Sequence, residues 1–318
     1  MKNYLIKRFI ILIPTFFGIT ILVYIISTLA PGSPLDLLLG DSQVTAADIE
    51  RKANELGLNE PVLIQYFHWL SGLLKGNFGI SFRTNTPVLG MIMERLGPTL
   101  LLTVTATILS IFIAVPLGVM SAYKPYSLWD YISSGLAFIG TATPNFFVGL
   151  ILIYIFAVNL GILPLGGMYD SSGMRHVSSL LKHLIMPVIV FSLQQVGSIL
   201  RQTRGSVIEV LQEDFITMSR AKGLTEFEII LKHVLRNALI PVVTVISSMM
   251  PYIIGGAVVT EQIFSWPGLG SLMVQSINAR DYPTIMGVAT FIAIVVLLGN
   301  FIADLIYGAL DPKISHNR

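Results

Sequence analysis

The chain has 318 residues, of which 53% are hydrophobic and 12% charged, and its mean hydropathy is +0.75. A soluble domain of this size carries about twice that charged fraction, so a soluble globular fold is excluded. A net charge of +2 is too small to indicate nucleic acid or an acidic partner, and the lack of cysteine rules out disulfides, thiolate metal sites and cysteine catalysis.

The apolar residues gather into long runs instead of spreading along the chain. Crossing a hydrocarbon core of roughly 30 Å takes about 20 helical residues. Six runs are read as spans, over 9–30, 98–122, 131–158, 184–200, 238–259 and 284–306. The fourth is the shortest and carries Gln194 and Gln195, which makes it the weakest of the six. A lipid-exposed segment must satisfy its backbone hydrogen bonds internally, so all six are predicted to be helices. Lys2, Lys7 and Arg8 precede the first run. That run exceeds the roughly 7–15 apolar residues of a signal-peptide core, which makes it an uncleaved span with its N-terminus in the cytoplasm. Alternation then leaves the turn at Lys124, the 201–237 loop and the C-terminus on the cytoplasmic side. Both termini are expected inside, and the whole of 1–318 is expected to form a single transmembrane domain.

The outer loop over 31–97 is the largest. Within it, 45–56 reads as a short amphipathic helix opening on Thr45 with Asp48 three residues on. Pro61 followed by Tyr66, Phe67, His68 and Trp69 predicts a second helix near the outer interface. The second to fifth runs hold no ionisable residue in their apolar centres, and Asp304, near the inner end of the sixth, reads as an interfacial cap. Pro116, Pro144, Pro187 and Pro251 are candidate kinks. An ion-coupled carrier usually needs charged groups or unwound helices at the midplane, so this pattern counts against one. No zinc-protease, nucleophile-elbow or phosphate-loop motif is present, and His176 and His183 have no carboxylate pair to complete a metal site. If the chain serves an ATP-driven process, a partner must supply the nucleotide site.

Residues 201–241 form the one long stretch that is neither span nor outer loop. The apolar residues Val207, Ile208, Val210, Leu211, Phe215, Ile216 and Met218 predict a helix continuing from the fourth span toward Lys222. Gly223 supplies a residue able to take positive φ and end it, and Thr225 with Glu228 forms a capping box for a second helix. In that helix Phe227, Ile230, Leu231, Val234 and Leu235 are expected to share one face, with Glu228 and Lys232 spaced for an i,i+4 pair. Pro241 falls where the chain re-enters the membrane. Two accounts of the apolar face stand: it packs on the protein's own helix ends, or it enters a groove on a soluble partner.

The segment Asp214-Phe-Ile-Thr-Met-Ser-Arg-Ala-Lys-Gly223, continued by Arg236-Asn-Ala-Leu-Ile-Pro241, resembles the EAA loop of ABC importer permeases, in the variant of the oligopeptide, dipeptide and nickel permeases. Thr217, Met218 and Ser219 stand at the Glu-Ala-Ala positions, so the family's glutamate is missing. Thr143-Pro-Asn-Phe-Phe-Val-Gly149, Leu160-Gly-Ile-Leu-Pro-Leu-Gly-Gly167, Glu261-Gln-Ile-Phe-Ser-Trp-Pro-Gly-Leu-Gly270 and Arg280-Asp-Tyr-Pro283 are similar to further stretches of that family. The opening of the chain fits the first of the two permease partners, and the likeness spans nearly its whole length.

The resemblance implies an all-α polytopic membrane protein of six transmembrane helices with the ABC importer type I permease fold, in the cytoplasmic membrane of a bacterium or archaeon. It implies a second homologous permease, two ABC ATPase subunits holding ATP and magnesium, and an extracytoplasmic binding protein as partners, with no cofactor on this chain and no enzymatic activity of its own. The implied cargo is di- or oligopeptides, and permeases for nickel complexes and glutathione share the same pattern. On this footing Asp214, Thr217, Met218, Ser219, Arg220, Ala221, Lys222, Gly223, Leu224, Arg236, Asn237 and Pro241 belong to the ATPase-coupling loop. Gly223 would set the angle of the coupling helix, Ser219 and Ala221 would keep its contact surface small, and Arg220 and Lys222 would meet acidic groups of the ATPase. Asn145, Gln194, Gln195 and Ser198, polar but neutral, are the candidates for the pathway lining. A secondary carrier or channel would account for the six runs but leave the ordered 201–241 loop unexplained.

Overall fold

The computed structural model describes residues 2–29, 51, 59–170, 176–249, 253, 255 and 257–310. Among these, every regular element is a helix, and one isolated bridge joins Ile80 to Pro87. We number the helices α1 (Lys2–Leu29), α2 (Val62–Leu74), α3 (Val88–Tyr123), α4 (Leu128–Ala142), α5 (Asn145–Asn159), α6 (Val177–Leu211), α7 (Asp214–Ala221), α8 (Glu226–Ser248), α9 (Val258–Ile263), α10 (Leu269–Asn278) and α11 (Tyr282–Leu310). Helices α1, α3, α6, α8 and α11 are each long and apolar enough to cross a membrane, and the bent pair α4–α5 makes a sixth if counted as one span. The helix expected over 45–56 lies, apart from residue 51, outside the described residues, as does Pro251.

Two apolar runs differ in their bounds from their hydropathy. The third, over 131–158, is not one rod: α4 and α5 meet at 106°. Proline at 144 disfavours a helical backbone at the preceding residue, and Thr143 is extended at φ −95°, ψ 127°, so the helix stops and restarts. In the fifth run, over 238–259, α8 extends to Ser248 and α9 begins at Val258, with most residues between them outside the described ones. Helix α8 begins at Glu226 and passes through Pro241 without ending, so Pro241 lies inside a continuous helix.

Helix α6, the run that hydropathy ranked weakest, is the centre of the bundle. Of its most apolar window 72% is buried, against 11% for α1 and 22% for α11. Gln195 is therefore enclosed by protein instead of lipid, while Gln194 stays exposed on the helix. Lipid tails are as apolar as leucine, so helices in a membrane associate through close packing and hydrogen bonds. The α3–α6 contact shows both. Thr99, Thr103, Thr107, Ser110, Ala114 and Gly118 recur at three- or four-residue spacing along α3, and all are buried. The hydroxyls of Thr103, Thr107 and Ser110 each donate to the carbonyl four residues back at 2.7–2.8 Å, which satisfies them inside an apolar contact. Ser110 also reaches the Ser192 carbonyl of α6 at 3.2 Å. On the other side of α6, Gly197 and Gly140 allow α4 to approach until backbone meets backbone.

The outer helices are held by a few specific contacts. Arg8 of α1 pairs with Asp304 of α11 at 3.3 Å, and Phe9 meets Phe301 edge-on at 6.3 Å. Asp304 is thus half of an interhelical ion pair, where sequence suggested an interfacial cap. Helix α2 forms as Pro61 and the aromatic cluster predict, and it lies on α1 through a buried Thr20–Tyr66 hydroxyl contact of 3.0 Å and an edge-on Tyr24–Tyr66 ring pair. Asp281, just before α11, is fully buried and accepts from the Ser81 hydroxyl at 2.5 Å, the Phe82 backbone N–H at 2.9 Å and the Thr284 hydroxyl at 2.7 Å. One carboxylate therefore ties the first turn of α11, through the Thr284 hydroxyl, to the segment ahead of α3. Asp281→Ala orphans three donors and is expected to destabilise that junction by about 2–4 kcal/mol. Limited proteolysis should then cut the 76–87 segment faster than in the wild type, and an unchanged cleavage rate would remove Asp281 from this role.

Candidate functional site

Helix α6 does not run on toward Lys222. It ends at Leu211, Gln212 and Glu213 make a turn, and α7 starts at Asp214 after an extended Glu213 (φ −71°, ψ 143°). The apolar period carried across this turn because Leu211 and Ile216, on either side of it, pack into the same cluster, while Phe215 is exposed. Helix α7 then ends as its sequence predicts, with Gly223 at φ 79°. The capping box also forms: the Thr225 hydroxyl accepts from the Glu228 N–H at 3.3 Å, and the Glu228 carboxylate accepts from the Thr225 N–H at 3.2 Å. Lys232 reaches Glu228 at 3.4 Å, one helical turn on.

The element sits against the ends of three long helices. Ile216 of α7 and Ile229, Val234 and Ala238 of α8 are buried with Val119 and Ala122 of α3 and Val207 of α6. The apolar residues of α8 nevertheless do not share one face. Val234 is buried, Ile230 and Leu235 are partly buried, and Phe227 and Leu231 are 73% and 53% exposed. The reason is a π-helical stretch over Ile229–Val234, whose wider turn shifts the register on which the 3.6-residue reading depends. The first account thus holds for one set, which packs internally, while Phe227, Leu231 and also Met218 of α7 are exposed.

Around α7 the expected residues separate in the same way. Asp214, Thr217, Met218, Ala221, Lys222 and Gly223 are exposed, and Leu224 is half-buried. Ser219 faces inward instead, buried, with its hydroxyl on the Phe215 carbonyl at 2.7 Å, so it forms no part of the outer surface. Arg220 is held within the chain by Glu226 at 2.9 and 3.4 Å, an i,i+6 pair made possible by the Gly223 turn. Arg236 and Asn237 are exposed on α8, and the Asn237 amide donates to the His233 carbonyl at 2.8 Å.

Of the neutral polar residues, Asn145 and Gln194 are brought together at 3.2 Å, joining the first residue of α5 to the middle of α6. Gln195 is not with them. Successive residues on a helix point about 100° apart, so Gln194 is exposed while Gln195 turns into the bundle, with neither its amide nitrogen nor its oxygen bonded. Ser198 is half-buried one turn beyond Gln194. Gln195 is therefore withdrawn as a lining residue. His183 is buried with Nδ1 2.8 Å from the Ser179 carbonyl, and among the described residues no group of three or more His, Cys, Asp or Glu is placed to hold a metal.

Hydropathy and motif reading missed the role of Glu261. Its carboxylate is fully buried near the start of α3, at the opposite end of that helix from α7. It accepts from the Thr99 hydroxyl at 2.7 Å and from the backbone N–H groups of Ser271 (3.0 Å) and Gly270. Those two N–H groups belong to the first turn of α10, whose N-cap is Gly268 and has no side chain to offer. Glu261 thus caps α10 from a distance, in the place where an anion also meets the helix dipole. Burial pushes its pKa up, against the pull of Thr99, the backbone donors and the nearby Arg95 charge. Every bond it makes here is one it accepts, so the cradle fits the anion. A Cβ on Gly268 would lie 2.1 Å from this carboxylate, and Trp266, fully buried, ties the same turn to the Pro98 carbonyl at 2.9 Å. The only sequence signal was a glutamate followed within ten residues by two glycines and a Trp-Pro.

A bundle of this kind, whose regular elements among the described residues are all helices and which is built around one buried central helix, is a polytopic membrane protein. Residues 114–316 match the model of the family described as binding-protein-dependent transport system inner membrane component, and residues 1–103 match that family's N-terminal membrane component. The chain is 44% identical over 317 residues to the oligopeptide transport system permease protein AppB of Bacillus subtilis (strain 168), covering 99% of this chain and 100% of that one. It is 35% identical over 339 residues to the dipeptide transport system permease protein DppB of Escherichia coli (strain K12), with both chains covered in full. Among solved structures, a chain of the MetNI methionine ABC transporter in an inward-facing conformation superimposes with a TM-score of 0.55 at 19% identity, over 70% of this chain and 97% of that one. That likeness establishes the ABC importer type I permease fold. The chain belongs to the binding-protein-dependent transport system inner membrane component family.

Proposed function

We propose that this chain is the transmembrane permease subunit of an ABC importer that carries di- or oligopeptides into the cell, driven by ATP hydrolysis on separate subunits. The peptide cargo follows the two relatives, whose names specify oligopeptide and dipeptide transport. In this reading the chain forms one permease domain, both termini are cytoplasmic and α7 faces the cytoplasm. A second permease completes the pathway, two ATPase subunits bring ATP and magnesium, and an extracytoplasmic binding protein delivers the cargo. The observation that carries the proposal is α7 itself: a short exposed helix, set by the left-handed Gly223, whose buried side is locked to α3, α6 and α8. Asp214, Thr217, Met218, Ala221 and Lys222 form the ATPase-facing surface, with Phe227 and Leu231 of α8 beside it. Arg220, already paired, sets the geometry of that surface and does not itself reach for the ATPase. Gln194 with Asn145, and Ser198, line the pathway.

Gly223→Val tests this. A β-branched residue at φ 79° is strained by about 1–2 kcal/mol, and relieving the strain swings α7 out of register. Co-purification of the ATPase subunits and ATP-dependent peptide uptake in proteoliposomes are expected to fall together, by roughly five- to thirtyfold, with the permease still present in the membrane. Wild-type chain that moves peptide alone, down a gradient and without ATPase, would overturn the reading.

A further inference from the structure

The end of the bundle that carries α7 holds an ionic cluster that no loop motif includes. Asp130, in the first turn of α4, is 7% exposed. Its carboxylate accepts from the Ser121 hydroxyl of α3 at 2.5 Å, from the Tyr126 backbone N–H at 3.0 Å, and from Arg204 of α6 at 3.0 and 3.3 Å. The Arg204 Nε–H also reaches the Ser121 hydroxyl at 3.0 Å. This differs from an exposed ion pair, which contributes little, because it is two-pronged, its carboxylate is buried and a third helix shares it. At the same end of α3, Val119 and Ala122 pack with Ile216 of α7 and Ile229 of α8, close to Glu226, the carboxylate that holds Arg220 of α7. The last turn of α3 is therefore a junction: one side holds α7 and the start of α8, the other binds α4 to α6. From there α4 leads through the 106° bend to Asn145, which is bonded to Gln194.

We infer that Asp130, Arg204 and Ser121 are positioning residues that make α3, α4 and α6 move as one body with α7, so that a displacement of α7 reaches the α4–α5 bend at the pathway. The inference rests on the importer reading above. Without the cluster α4 is tied to α6 only by packing along its length, and motion of α7 would reach Asn145 only through its single bond to Gln194 of α6. Hydrolysis would go on while transport fell, which is uncoupling and not loss of fold.

The test uses the complete importer reconstituted in liposomes with its ATPases, second permease and binding protein, reading peptide uptake and ATP hydrolysis in the same vesicles. Asp130→Asn and Arg204→Gln are each expected to lower uptake per ATP hydrolysed by about tenfold, a size at which residues that modulate coupling act. The double variant should be no worse than either single one, since both remove one interaction. Exchanging the charges, Asp130→Arg with Arg204→Asp, should recover part of the ratio. If a charge variant does not assemble, Ser121→Ala, which leaves the ion pair intact, is expected to lower the ratio by a smaller factor. Uptake and hydrolysis falling in parallel, or an unchanged ratio in an assembled variant, would overturn the inference. A wild-type complex that shows no ATP-dependent uptake would instead defeat the importer reading, so the two failures are told apart.

Discussion

Replacing Glu261 by leucine is expected to lower the stability of the folded protein by about 2–4 kcal/mol, because buried donors lose the acceptor that satisfied them. The loss has two parts, the second of which also leaves α10 without its cap. The Thr99 hydroxyl, itself accepting from the Leu269 N–H at 2.8 Å, would have to turn its proton away from Glu261. The N–H groups of Gly270 and Ser271 would become buried donors without acceptors, each worth about 1–3 kcal/mol. Helix α10 would start uncapped, because Gly268 cannot substitute. Leucine does relieve the desolvation of a buried anion, which sets the upper bound on the loss. Glutamine is isosteric and keeps one acceptor oxygen for the helix end, so Glu261→Gln should show no more than about half the effect. Unfolding of such a protein is irreversible in practice, so the measurement is the half-life of the monodisperse peak in detergent at raised temperature. A leucine variant as long-lived as the wild type would remove Glu261 as the cap of α10.

The second large effect is expected from a single methyl group. A Cβ on Gly140 would lie 2.3 Å from the Leu193 carbonyl oxygen of α6, a backbone atom that cannot rotate aside. Gly140→Ala should therefore push α4 off α6 and destabilise by about 1–3 kcal/mol, as overpacked cores do. Gly135 lies on the same helix with nothing within 4 Å of its Cβ position. There, alanine should be neutral or stabilising by up to about 1 kcal/mol, from helix propensity alone. The comparison removes effects of composition and membrane insertion, and thermal half-lives that did not separate the two variants would refute the close-packing account. Because α4 leads to Asn145, Gly140→Ala should also reduce uptake more than Gly135→Ala does.

Several features were legible in the order of residues. The six apolar runs locate the long helices because hydropathy over about 20 residues is a local property that lipid reads directly. The positive φ at Gly223, the Thr225–Glu228 box and the Glu228–Lys232 pair also depend only on residues a turn apart. The break at Pro144 belongs to the same class, although its angle of 106° does not.

What lay outside that reach has one physical origin: it depends on which surface of a helix another helix covers. Gln194 and Gln195 are neighbours in sequence, yet one is exposed beside Asn145 and the other is enclosed. Asp304 meets Arg8 nearly the whole length of the chain away, and Asp281 meets Ser81 across some two hundred residues. Arg220 is taken by Glu226 because α7 folds back at Gly223, and Asp130 finds Arg204 because α4 and α6 pack against each other. Local chemistry along the chain thus determined the long helices, the Thr225–Glu228 cap and the family to which the chain belongs. Tertiary packing decided which polar side chains face a partner and which are used up holding the bundle together, since a buried polar group must find its bond wherever the fold brings one within reach.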